Sequence, residues 1–225
     1  MSSFRRSRTT GGPMGRYTGP VERLSRREGV DLELKGARRL AGKGALERRG
    51  ALPPGQHGGG RRVKTSVYAQ QLRETQRAKR YYGIREKQFR NLMNEASKRN
   101  AENTVTGERM LQLLESRVDN IIVRLGFAST RAQARQFVSH GHVLVNGQRH
   151  TVASARLSPG DVVTIKDGSP VRPIATESTE LIAIVPAWLE ADHDGLSGRV
   201  LRLPERHEIQ VPITEHLIVE LAGRR

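Results

Sequence analysis

In the stretch ASTRAQARQFVSHGHVLVNG, Arg131 and Arg135 stand four residues apart, and Gln136, Ser139, His140, His142 and Asn146 follow. Guanidinium groups at that interval leave a helix on one face, with Ser139 a turn further on. Each presents a planar fork of N–H donors that matches two oxygens of a phosphate, so a pair held on a helix suits oxyanion binding. Taken alone, two helical arginines more often only solvate their helix, so the surrounding pattern has to decide. His140 and His142, two apart at a helix–strand junction, read as structural or phosphate-facing groups rather than as metal ligands.

The elements that must hold these side chains are legible around them. Leu111, Leu114, Val118, Ile121 or Ile122, and Leu125 recur at spacings of three and four, which predicts one amphipathic helix ended by Gly126. A second helix opens at Thr130, whose hydroxyl can cap free N–H groups while Gln133 reaches back as in a capping box, and it buries Ala134, Phe137 and Val138. A strand from His142 to Val145, a two-residue turn at Asn146-Gly147 and a return strand from Gln148 to Val152 complete a hairpin. Further along, Ser158-Pro159-Gly160-Asp161 is a turn before a β-branched strand from Val162 to Ile165. Trp188-Leu189-Glu190 and the stretch from Gly195 to Leu203 read as short strands, and Pro170, Pro173 and Pro186 argue against one long helix between.

The charge is unevenly placed. The 225 residues carry 39 Lys plus Arg against 23 Asp plus Glu, a net charge of +16, and residues 1–100 hold 25 of the basic and only 8 of the acidic ones. The first half is thus the polyanion-binding half; nucleic acid is favoured over a membrane surface, because no basic amphipathic helix with bulky apolar anchors is present. With no cysteine, disulfides and thiolate metal sites are excluded. No apolar run approaches the roughly twenty residues that span a bilayer, so a soluble intracellular protein is expected. Nucleophile-elbow and H-E-x-x-H motifs are missing, and the carboxylates are dispersed among basic residues, which speaks against an enzyme. Residues 1–15, with three arginines before Met14 and no acid, should be disordered without RNA, although a transit peptide has similar composition. A basic turn-rich loop runs from Leu52 to Lys64; helices are expected from Ser66 through Tyr82 and from Arg85 to Arg99, with Val67, Leu72, Ile84, Phe89, Leu92 and Met93 available to a core.

The run RVDNIIVRLGFASTRAQARQFVSHGHVLVNG closely resembles the helix–helix–strand RNA-binding module named after small-ribosomal-subunit protein four. PPGQHG, YAQQLRETQRAKRYYGIREKQFRN, SPGDVV and the tail RLPERHEIQVPITEHLIVEL resemble the same ribosomal family, so the likeness covers nearly Arg16 to Leu221 and lapses around 168–186. It implies an α+β protein: an all-helical domain over 16–106 completed by the C-terminal segment 203–225, and an inserted domain over 107–202 of helices packed on a small, mainly antiparallel sheet, with the module at about 117–178. It implies RNA contacts from Arg16, Arg26, Arg27, His57, Arg61, Arg62, Lys64, Arg73, Arg77, Arg80, Arg85, Arg90, Arg117 and Arg124, beside Arg131, Arg135, Gln136, Ser139, His140, His142 and Asn146. The implied partners are small-subunit ribosomal RNA, small-ribosomal-subunit protein five, neighbouring ribosomal proteins and mRNA where it enters the subunit, on a cytoplasmic or an organellar ribosome. The implied role is a primary RNA binder that nucleates assembly and contributes to translational accuracy. Many members carry four zinc-binding cysteines where Glu22, Ser25, Arg39 and Gly44 stand here, so no zinc and no other cofactor is expected. RNA-modifying enzymes carry the same module beside a catalytic domain for which this chain has no room, and a free stress protein using the module alone would leave PPGQHG and QFRN unexplained. The apolar run from Ile213 to Leu221 is expected either to dock on another chain, with the protein-five contact favoured, or to pack on the helical domain.

Overall fold

The computed structural model describes residues 17–36, 41–60, 64–98, 105–181 and 184–224. The extension 1–15, the candidates Arg16, Arg61 and Arg62, and Arg39 of the zinc comparison lie outside the described residues.

Helices α1 (Glu22–Glu28), α2 (Ala45–Arg49), α3 (Val67–Tyr81), α4 (Glu86–Lys98) and α5 (Thr106–Glu115) form a helical lobe. Ser66 caps α3 by accepting from the Ala69 N–H, and the chain turns out of it at Gly83, whose φ of +63° favours glycine. Tyr81, Tyr82, Ile84, Phe89, Met93, Met110, Leu111 and Leu114 build the core. Val67, at the first turn of α3, is instead 58% exposed. The C-terminal helix α9 (Glu215–Gly223) lies across α3 and α5 and buries Ile218 and Leu221. It comes so close to α5 that a Cβ on Gly107 would stand 2.8 Å from the Glu215 side chain. The C-terminal run is therefore core of the helical lobe, not a free docking strip.

The single helix expected from Leu111 to Leu125 is two. It breaks at Ser116–Arg117, where the backbone leaves the helical ladder to pair with the segment before β3: Val118 N–H donates to the Ala155 carbonyl at 2.9 Å and Leu157 N–H to the Ser116 carbonyl at 2.8 Å. The break also divides the cores, since α5 buries its face in the helical lobe while α6 (Val118–Arg124) buries Val118, Ile121 and Ile122 in the second. The two cores therefore divide at the helix break.

The second lobe sets α6 and α7 (Arg131–Ser139) on a sheet of β1 (Val143–Val145), β2 (Gln148–His150), β3 (Val162–Ile165), β4 (Leu189–Asp192) and β5 (Ser197–Val200), in the order β2-β1-β3-β5-β4 with every neighbouring pair antiparallel. Asn146 and Gly147, with φ of +51° and +77°, close the β1–β2 hairpin with Val145 opposite Gln148. Ile121, Ile122, Leu125, Phe127, Val163 and Ile165 are fully buried between helices and sheet, each worth about 1.5–3 kcal/mol. Between β3 and β4 the prolines confine α8 (Arg172–Leu181), in which Pro173 sits in the first turn where its missing N–H has no helical partner to lose. The architecture is the expected α+β arrangement.

Candidate nucleic-acid interface

The two arginines on α7 have different fates. Thr130 caps the helix through the Gln133 N–H, but the Gln133 side chain accepts from Ser129, one residue earlier than in a capping box. That entry angle aims Arg131 at the helical lobe. Its guanidinium lies 3.8 Å from the centroid of the Tyr81 ring, its Nε donates to the Asn120 side-chain oxygen at 2.9 Å, and Glu33 stands 3.8 Å away. One remaining N–H group is buried without an acceptor among the described residues, and the face of Tyr81 takes its charge instead. Arg131 is thus a buried clasp between lobes and is not presented to a phosphate. Arg135, four residues on, is 38% exposed and 3.6 Å from Asp119, while Gln136, Ser139 and His140 are exposed beside it. His142 is half-buried with Nδ1 2.9 Å from the Ser169 hydroxyl. The Asn146 amide is spent on the turn, donating to Asp161 and accepting from the Val162 N–H, both at 2.9 Å.

Arg117 and Arg124 also face inward. Arg117 is 6% exposed and forks onto Asp119 at 3.0 and 2.6 Å. Arg124 forks onto Glu115 at 2.9 and 2.8 Å, and the same carboxylate accepts from Tyr82 Oη at 2.6 Å and from the Asn120 amide. Burial alone would raise the Glu115 carboxyl, but the Arg124 charge and these hydrogen bonds bring it down to about 2. The Tyr82 phenol is pushed up, first by burial and then by the Glu115 charge beside it. Glu115 ends α5, Arg124 ends α6 and Tyr82 follows α3, so this polar cluster ties the helix break to both cores.

On the helical lobe, Arg27, His57 and Lys64 are exposed, and neither Arg27 nor Lys64 has an ion-pair partner among the described residues. Arg26 donates to the Leu52 carbonyl at 3.2 Å. Arg73 and Arg80 share the buried Glu28 carboxylate, and Arg77 pairs with Glu74. Arg85 is exposed, and Arg90 is 65% exposed and 4.0 Å from Glu86. The sequence reading passed over Arg149 on β2 and Lys166 after β3, both exposed beside His140 and His142 and without an ion-pair partner among the described residues. Strand alternation held the signal, because Arg149 falls opposite Leu144 in the hairpin register. Among the described residues no helix is long and apolar enough to cross a membrane, and no three metal-binding side chains converge.

A basic helical lobe clasped to a helix–helix–hairpin module, with cations spread over an open surface, defines an RNA-binding scaffold. Residues 16–115 match the family described as Ribosomal protein S4/S9 N-terminal domain, and residues 116–163 match the S4 domain, which divides the chain at the helix break. The chain is 52% identical over 213 residues to small ribosomal subunit protein uS4 of Natranaerobius thermophilus, covering 94% of this chain and 100% of that protein. It is 52% identical over 218 residues to that of Dictyoglomus turgidum and 49% over 213 to that of Thermus thermophilus, with the same coverage. The chain belongs to the uS4 family of small-ribosomal-subunit proteins, which are structural rather than catalytic.

Proposed function

We propose that this chain binds small-subunit ribosomal RNA directly, as a primary binder that nucleates assembly of the subunit body. The observation that carries the reading is the segregation of charge: cations crowd residues 1–100, while buried clasps fix the second lobe against them, so that two RNA-facing surfaces are held in one frame. Such a surface recognises a phosphate and 2′-hydroxyl array by its shape. The phosphate-facing set is drawn from the exposed candidates Arg27, His57, Lys64, Arg85, Arg90, Gln136, Ser139 and His140 together with the half-buried Arg135, whereas Arg117, Arg124 and Arg131 hold the frame. Contacts with small-ribosomal-subunit protein five, neighbouring proteins and mRNA where it enters the subunit, and a contribution to accuracy on a cytoplasmic ribosome, belong to the same proposal. In it the C-terminal helix acts through the integrity of the helical lobe.

The test is binding of the purified protein to naked small-subunit ribosomal RNA with no other protein present. Six to ten phosphate contacts give a log–log salt slope of roughly −4 to −9. Binding that requires a second ribosomal protein would overturn the primary-binder reading.

A further inference from the structure

Between the α7–β1 junction and the β3–α8 turn lies an open cleft of about 310 Å³, lined by His140, Gly141, His142, Arg149, Lys166 and Ser169. Arg149 reaches it from β2 and rests on Gly141, which has a φ of +74°; a Cβ there would collide with the guanidinium, so the glycine lets the charge lie along the cleft wall. Lys166 is fixed opposite, its backbone N–H donating to the His142 carbonyl at 2.9 Å. Neither cation has an ion-pair partner among the described residues. The acid on the rim, Asp167, is already paired with Arg172 at 2.6 Å, so the cleft keeps its positive charge. The Ser169 hydroxyl oxygen accepts from the Val171 N–H at 3.4 Å and stands 2.9 Å from His142 Nδ1. With Nδ1 engaged by Ser169, Nε2 is the ring nitrogen left for a ligand. The His140 ring lies 6.1 Å from that of His142. Guanidinium, ammonium and imidazole N–H donors around one open space form an oxyanion site with room for a phosphodiester and part of its sugar.

We propose that this cleft seats one phosphate of the bound RNA, with Arg149 and Lys166 holding the oxyanion and His142 Nε2 donating a further hydrogen bond. The proposal rests on the RNA-binding reading above and deepens it. Free phosphate or pyrophosphate shares the chemistry and is the alternative source.

The experiment uses the full chain with small-subunit ribosomal RNA. Replacing both cations, Arg149→Ala with Lys166→Ala, is expected to weaken binding by about tenfold and to flatten the log–log salt slope by about 1, the mark of one phosphate lost. Arg199→Ala, which removes an exposed charge from β5, is the control and leaves the slope unchanged. Both sites are exposed, so the thermal midpoint stays in place in every variant. An unchanged slope in the double variant overturns the seat while leaving RNA binding by the wild type intact; equal losses in the control overturn it as well. If the wild type binds no ribosomal RNA, the functional reading itself fails. Titrating the free protein with pyrophosphate at fixed ionic strength and following the His142 ring by NMR separates the sources. A shift there together with a flattened RNA slope supports the proposal, whereas a shift with an unchanged slope assigns the cleft to free phosphate and overturns it.

Discussion

Replacing Glu115 by Gln keeps the shape of the side chain and removes one charge from the most enclosed polar cluster of the described residues. The carboxylate is 1% exposed and accepts from Tyr82 and from two N–H groups of Arg124, whose side chain is itself only 17% exposed. In the variant, one oxygen becomes an amide donor that faces another donor, and the guanidinium stays buried without a counter-charge. Breaking a buried pair from one side costs about 3–5 kcal/mol. The titration provides a second route: holding a carboxyl from its ordinary 4.5 down to about 2 corresponds to about 3 kcal/mol. Because the folded-state value is the lower one, that stabilisation is present in full above pH 4.5 and is lost as the pH falls toward 2. Urea unfolding can be followed through Trp188, the lone tryptophan, which is 1% exposed in the second lobe, and through helical circular dichroism for the first. Glu115→Gln should lower stability by about 3 kcal/mol at pH 7 and should lack the wild type's loss between pH 4.5 and 2. Replacing both partners by apolar residues, Glu115→Leu with Arg124→Met, should recover much of the loss, since no lone charge remains. A cost below about 1 kcal/mol, or an acid profile like the wild type's, would show that the cluster is solvated and the reasoning wrong.

Arg131 and Arg135 should separate. Arg131→Ala is expected to lower the unfolding temperature, whereas Arg135→Ala should leave it in place and weaken RNA binding by about 1–3 kcal/mol; a calorimetric scan beside a binding isotherm checks both, and matching behaviour would undo the distinction. Removing Leu217–Arg225 strips Ile218 and Leu221 from the core and should cost about 3–6 kcal/mol, read as a loss of helical circular dichroism on mild heating. An unchanged melting curve would return the segment to the status of a docking surface. Gly198→Ala places a methyl 2.5 Å from Leu125 Cδ2, inside the second core, and should cost about 1–3 kcal/mol of overpacking with no change in RNA affinity if the fold persists.

The hairpin was legible because Asn146-Gly147 is one of the few dipeptides that accept positive φ at both turn positions. The start of α7 was legible because Thr130 has a short oxygen that can cap it. The break at Ser116–Arg117 was not, since Leu111, Leu114, Val118, Ile121 and Leu125 keep helical spacing straight across it, and the cause is pairing with residues 155–157, about forty positions away. The same limit hid the fate of Arg131. Its spacing from Arg135 shows a shared helix face, but only the neighbouring lobe, with Tyr81 and Glu33, turns one member into a clasp. Arg149 and Lys166 went unread because they meet through sheet register rather than along the chain.

The closing of the helical core by α9 sets an order on synthesis. The second lobe is one continuous stretch, from Val118 to Val200, and has everything it needs as soon as β5 has been made. The first lobe begins earlier yet lacks the side chains of Ile213, Ile218 and Leu221 until α9 has been added. While the chain grows, the helical lobe therefore waits incomplete beside a finished module until α9 has been made. Protease applied to stalled nascent chains should find residues 118–200 resistant while 17–98 are still cut. The second lobe is built first, and the first is finished last.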